Sequence, residues 1–253
     1  MTRPLNKLLN RLGLHVIKNE DPGKIPWVLK NLDTSPSAFR WIAPELIRRH
    51  NLKTFFQVGA NDGQCGDPIE GCIEAFGLQG VMVEPQPKPC ALLKEKYAGN
   101  DRVAIDQVAV SEKEGFITLY HFAPEHIATR SAVQVKADLL ASTDRGHLEK
   151  MRQVMEGTGE IQEMKVPALT WKSLIHKHSL PAPDMVIVDT EGMDDTIVNQ
   201  VGLGDNAPAL IQFEHLHIGA ERLEACTGRL RKAGYRFIMS EYDILCLHKK
   251  VIA

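Results

Sequence analysis

Chemistry-bearing residues gather at five places in this chain. Gly59, Ala60, Asn61, Asp62 and Gly63 follow the apolar run TFFQV, Glu84 closes GVMVE, and Gln107, Val108 and Ala109 follow RVAID. Asp189 and Glu191 follow MVIV, and Glu214, His215 and His217 end ALIQFEHLH. The glycine loop poses the first chemical question. A dinucleotide pyrophosphate wants G-x-G-x-x-G, with bare amides approaching it at a helix N-terminus. Asn61 stands at the second glycine position with Asp62 beside it, and a carboxylate there repels an anion. No GKS or GKT follows, so a P-loop is excluded as well. A cationic cofactor reverses the argument. The sulfonium and ammonium groups of S-adenosylmethionine suit acceptor side chains and carbonyls, and Glu84 can accept both ribose hydroxyls in a bidentate pair. Asp189, Glu191, Glu214 and His217 also resemble a mixed oxygen and nitrogen ligand set. They form no compact ligand motif, so no resident metal is expected.

These residues need a scaffold that brings strand ends together. From residue 54 onward, strand-like and helix-like segments alternate. TFFQV, GVMVE, RVAIDQVAVS, FITLYHF, DMVIVD and ALIQFEHLH read as strands, and YRFIMSE with ILCLHKK reads as a closing antiparallel pair. The continuous apolar run of DMVIVD suits a strand buried on both faces. Between the first two strands, Asp67 can cap a helix, Pro68 suits its first turn, and Gly77 can end it. Such alternation predicts a mostly parallel twisted sheet flanked by helices, with ligands beyond the carboxyl ends of the strands at the topological switch. The stretch from about 123 to 165, with His126, Thr129, Arg130 and Ser131 and with Gly157 and Gly159 as hinges, is long enough to be a lid shaping an acceptor pocket.

The 253 residues suit one α/β domain with an added element. The expected division is an N-terminal helical extension over 1–50 and the cofactor-binding domain over 51–253. In the extension, Leu5, Leu8, Leu9, Leu12 and Val16 share a helical face, with Arg3, Lys7 and Arg11 on another. That pattern fits either an interfacial membrane helix or a helix docked on its own domain. Residues 19–34 read as a linker, and a helix over 37–50 is expected to bend or split at Pro44. The 30 Lys and Arg nearly balance the 32 Asp and Glu, which argues against nucleic acid as a partner. Five cysteines without a CxxC, and no signal-peptide run, point to reduced thiols and a cytoplasmic, at most membrane-peripheral, protein.

The blocks FFQVGANDGQ, VMVEPQP, VAVSEKEG, VPALTWKSL, VIVDTEGMDDTIV, LIQFEH and GYRF, in this order, resemble the FkbM-type methyltransferases over about residues 54–247. The resemblance implies a Rossmann-like class I methyltransferase using S-adenosylmethionine to methylate a hydroxyl of a sugar, a glycan or another secondary metabolite. On that pattern Gly59, Ala60, Asn61 and Gly63 wrap the methionine portion and Glu84 takes the ribose. Val108 and Ala109 flank the adenine, and Asp189 and Glu191 lie beside the transferred methyl. The pattern usually carries Asp where Gln57 stands, which leaves Asp62 or Glu191 to meet the ammonium group.

Transfer to oxygen is an in-line displacement helped by alignment and by a base. Asp189 and Glu191 share a side if their strand persists, as do His215 and His217 on the next. Asp189 or His215 is the expected base; the alternative is that Asp189 caps the following helix and the histidines are satisfied hydrogen-bonding residues. Two other readings stay open: a non-catalytic cofactor- or nucleotide-binding module at a membrane surface, and a nicotinamide enzyme, which the loop chemistry disfavours.

Overall fold

The computed structural model describes residues 38–64, 67–123, 140–154, 160–180 and 182–252. The expected N-terminal amphipathic stretch and linker lie outside the described residues, as do Cys65 and the lid residues His126, Thr129, Arg130, Ser131, Gly157 and Gly159. Among the described residues no helix is long and apolar enough to cross a membrane.

Seven strands form the main sheet: β1 (Thr54–Val58), β2 (Gln79–Val83), β3 (Val103–Asp106), β8 (Met185–Val188), β9 (Leu210–Glu214), β10 (Tyr235–Met239) and β11 (Asp243–His248). Their spatial order is β10-β11-β9-β8-β1-β2-β3, and β11 alone runs antiparallel to its neighbours. The chain moves outward from β1 to β3, then returns to the other side of β1 as β8. The switch point therefore lies between β1 and β8, where crossovers diverge and leave a crevice at the strand ends. This is a Rossmann-like arrangement.

Strict alternation along the strands covers both faces. Phe55, Met82, Met185, Ile187, Leu210 and Leu245 pack on one side, with α1 (Phe39–His50), α2 (Glu70–Phe76), α3 (Pro87–Lys96) and α8 (Lys249–Ile252). Phe56, Val58, Val83, Val186, Val188 and Phe213 pack on the other, with α5 (Trp171–Lys177), α6 (Asp194–Val198) and α7 (Ala220–Lys232). Each fully buried side chain of this size contributes about 1.5–3 kcal/mol. α1 runs unbroken through Pro44, and its buried Phe39, Ile42, Ala43, Leu46 and Ile47 belong to the first of these clusters. The boundary expected at residue 50 thus falls between two elements that share one core.

The single strand expected over 102–111 is two. β3 ends at Asp106, and β4 (Ala109–Val110) leaves the main sheet to pair with β7 (Ile161–Leu169). With β5 (Gly115–Phe122) and β6 (Ala141–Ser142) these make a second sheet of order β4-β7-β5-β6. Lys177 and His178 hold the Asp106 carboxylate at the break, at 2.7 and 2.6 Å. The second sheet carries α4 (Arg145–Val154), which follows β6 directly.

Candidate functional site

The glycine loop closes on itself. Gly59 and Ala60 both donate their N–H to the Val83 carbonyl, Asn61 to Glu84 Oε2, Asp62 to the Asn61 side chain, Gly63 to the Ala60 carbonyl, and Gln64 to Asp62 Oδ1. Every amide from 59 to 64 is thereby engaged within the protein, and none is left to cradle a phosphate. Gly59 has φ +76°, and a Cβ there would collide with the Asp189 carbonyl. Only glycine lets the loop pass this close to the end of β8. Asn61, at φ 51°, takes the left-handed conformation that a short amide side chain tolerates. Asp62 is fully buried and turned into the loop, where it accepts the Gln64 N–H.

Glu84 follows β2 and is 3% exposed. Its two oxygens accept the N–H groups of Gln86 and Asn61 at 2.8 and 3.0 Å. Burial pushes its carboxyl up to about 7 against the pull of these bonds. The Gln86 side chain bonds it as well, so part of its acceptor capacity is left for a ribose hydroxyl. Ala109 is buried at the start of β4, and Val108 packs half-buried against the core on the α5 side. Gln57, at the position where the resembling family carries Asp, is buried on β1 with Oε1 unpaired.

Asp189 and Glu191 do not sit on a continuing strand. β8 ends at Val188, and Asp189 only extends the ladder by donating its N–H to the Val58 carbonyl. Glu191 has φ 55°, so the alternation expected of a strand does not orient it. The loop is organised instead by Asp194, which is 0% exposed. Its carboxylate accepts the Thr190 hydroxyl at 2.9 Å and the N–H groups of Thr190, Gly192 and Glu214 at 3.3 Å. Burial holds Asp194 up, at about 6, against those donors. Asp194 carries no chemistry expected from sequence; its signal was its place in the first turn of a helix directly after the loop.

Four other side chains converge on Glu191. His147, from α4, and His217, after β9, each bring Nε2 within 3.3 Å of Glu191 Oε2, and their rings lie 4.0 Å apart. Burial raises the Glu191 carboxyl, but the two imidazoles outweigh it and hold it down at about 2. Glu214 lies 3.8 Å from His217 Nε2; burial, then Glu191, Asp189, Asp194 and Asp243, push its carboxyl up to about 9. Asp189 is exposed just past the end of β8, and desolvation, then Asp194, Glu191, Asp243 and Glu84, raise its carboxyl above the usual range.

His215 and His217 do not share a side, because β9 stops at Glu214 and the strand period ends with it. His215 Nε2 instead lies 3.1 Å from the Ser240 carbonyl, to which it can donate. His147 was not foreseen. It arrives from the far end of the second sheet, and nothing local in its sequence marks it.

No curated protein matches the sequence. Solved structures of similar fold include methyltransferase FkbM from Methylobacillus flagellatus KT, at 11% identity and TM-score 0.48 over 78% of this chain and 44% of that one. This chain thus spans less than half the length of that relative. Others are the precorrin-6y C5,15-methyltransferase from Geobacter metallireducens GS-15 (13% identity, TM-score 0.39, 82% of this chain and 87% of that one) and the O-methyltransferase from Bacillus cereus in complex with SAH (12%, 0.40, 87% and 84%). None of these likenesses is close. The model of the methyltransferase FkbM domain matches residues 57–237, from within β1 into β10 and well over half of the chain, and the protein therefore belongs to the FkbM family of S-adenosylmethionine-dependent methyltransferases.

Proposed function

We propose that this methyltransferase acts on a hydroxyl oxygen of a small hydroxylated acceptor, a sugar, a glycan or another secondary metabolite. The observation that carries this reading is the crevice at the ends of β1, β8 and β9. A loop with no free amide faces carboxylates and imidazoles there, an acceptor-rich lining that suits a sulfonium and a protic acceptor and disfavours a phosphate. The residues fit S-adenosylmethionine in kind: the loop has no free amide for a phosphate, and the Glu84 carboxylate stands at the end of β2. When bound, that cofactor supplies an electrophilic methyl group and leaves as S-adenosylhomocysteine.

In this reading Gly59, Ala60, Asn61, Asp62 and Gly63 shape the methionine site, Glu84 orients the ribose, and Val108 with Ala109 borders the adenine. Asp189 accepts the proton of the acceptor hydroxyl. Its raised carboxyl makes it a stronger base than an ordinary aspartate, and it is exposed just past the end of β8. Glu191 stands beside it, with His147 Nε2 and His217 Nε2 each 3.3 Å away. His215, the other base candidate, is engaged with the Ser240 carbonyl.

The test is transfer of labelled methyl from S-adenosylmethionine to a panel of sugars and hydroxylated metabolites. Label in an alkali-stable ether, with turnover reduced about a hundredfold or more in Asp189→Asn, is expected. Label found only on nitrogen or carbon would sink the oxygen reading, and unchanged turnover in the variant would remove Asp189 as base.

A further inference from the structure

His147, Glu191 and His217 come from three separate elements and place their ligand atoms within 4.8 Å of one another. A helix after β6, a loop after β8 and a turn after β9 would have no packing reason to deliver two imidazoles to one carboxylate. The His147 side chain is 8% exposed, and its Nε2 is buried, 3.3 Å from Glu191 Oε2, yet not aligned to hydrogen-bond it. Glu214 Oε2 is likewise buried without a hydrogen bond. Buried polar atoms seldom stay unpaired, and two converging on one spot point to a missing partner. Asp189 and Glu214 share Glu191 in a second set of three carboxylates with oxygens equally close. Glu191 holds its position in the left-handed region, φ 55°, with its carbonyl tied by the Ser142 hydroxyl at 2.8 Å. Non-glycine strain of this kind collects at ligand sites.

We propose that His147 Nε2, His217 Nε2 and the Glu191 carboxylate bind one divalent first-row transition-metal ion, with Asp189 and Glu214 beside its remaining positions. Two neutral imidazoles and one carboxylate suit manganese, iron, cobalt, nickel or zinc; magnesium and calcium favour oxygen ligands throughout. This ligand set also leaves positions open, so the ion can hold an acceptor hydroxyl and ease the loss of its proton to Asp189. That role rests on the transfer reading above, whereas the binding of the ion does not. The inference revises the sequence-based expectation of no resident metal, which weighed His217 with the carboxylates but had no access to His147.

The test uses the full chain, stripped with a chelator, desalted and titrated with Co2+ while visible absorption is followed, with Mg2+ as a competitor. Expected are visible bands saturating at one Co2+ per chain, no displacement by excess Mg2+, and affinity lowered about tenfold or more in His147→Ala, His217→Ala and Glu191→Gln. His176→Ala, on the exposed side of α5, should bind as the parent does. Absence of saturable Co2+ uptake by the parent overturns the site even if a variant fails to fold. So does uptake unchanged in the folded double variant lacking both histidines. Binding of S-adenosylhomocysteine is measured on the same samples. Its retention without ion uptake removes the metal alone, while ion uptake without it supports the metal and removes the donor reading.

Discussion

Glu84 is a carboxylate whose environment works against its charge. Burial raises it to about 7 although two backbone N–H groups and the Gln86 side chain favour the ionised form. Two ribose hydroxyls donating to its oxygens would favour that form further, so cofactor binding near neutral pH should expel a proton. Calorimetry of S-adenosylhomocysteine binding at pH 7 in two buffers of different ionisation enthalpy reads this directly. A net proton release is expected in the parent. In Glu84→Gln the release should vanish and affinity fall about tenfold to a hundredfold, the worth of hydrogen bonds to a charged group. Equal enthalpies in both buffers for the parent would detach Glu84 from the ribose.

β6 is two residues long, yet it ties the second sheet to the loop after β8. The Ser142 hydroxyl donates to the Glu191 carbonyl and accepts the Asp144 N–H, and α4 starts at Arg145 with His147 on its first turn. One element therefore positions both the strained carboxylate and one of its imidazoles. Ser142→Ala should cost about 1 kcal/mol of stability, a fall of about 2–4 °C in Tm. Co2+ affinity should drop with it, while S-adenosylhomocysteine affinity stays within about twofold, because the hydrogen bonds of the glycine loop and of Glu84 run to one another and to the end of β2. Unaltered Co2+ affinity would show that β6 does not position Glu191. α6 and α7 are tied in a comparable way by Arg222, whose Nε lies 2.9 Å from Asp195 and whose guanidinium also donates to the Gly192 carbonyl of the loop at 3.3 Å.

The whole molecule carries its buried carboxylates on both sides of the crevice, and this sets its response to pH. Asp67 and Glu84 are raised by burial to about 6 and about 7, above the values of an unfolded chain. Between about pH 4 and pH 7 the folded state then binds more protons than the unfolded state, so stability falls as pH rises. Below pH 4 both states are protonated at these groups and their contribution is fully present. At about 1.4 kcal/mol per pH unit, each group costs on the order of 3 kcal/mol by neutral pH. Thermal melts of the ligand-free protein should fall steadily from pH 5 to pH 7, and the slope should lessen in Glu84→Gln. A Tm that rises over this interval would show that the two groups ionise without penalty in the fold.

The amino-acid pattern alone determined the parts that depend on near neighbours. Alternating apolar strands prescribed a two-faced parallel sheet, Gly59 to Gly63 prescribed a tight loop after β1, and Glu84 and Asp189 marked where β2 and β8 stop. The ordered motifs were sufficient for family membership, since they record short-range geometry. Tertiary structure decided what those strand ends face. Strand period could not orient Glu191, His215 or His217, because each lies past the end of its strand, where the backbone is held by Asp194 and by the Tyr242 carbonyl rather than by alternation. It also could not bring His147 into view, because that residue reaches the site only through the pairing of β6 with β5. Local propensity is written in adjacent residues, whereas a ligand cluster is a meeting of distant ones, and only the folded path of the chain brings them within reach.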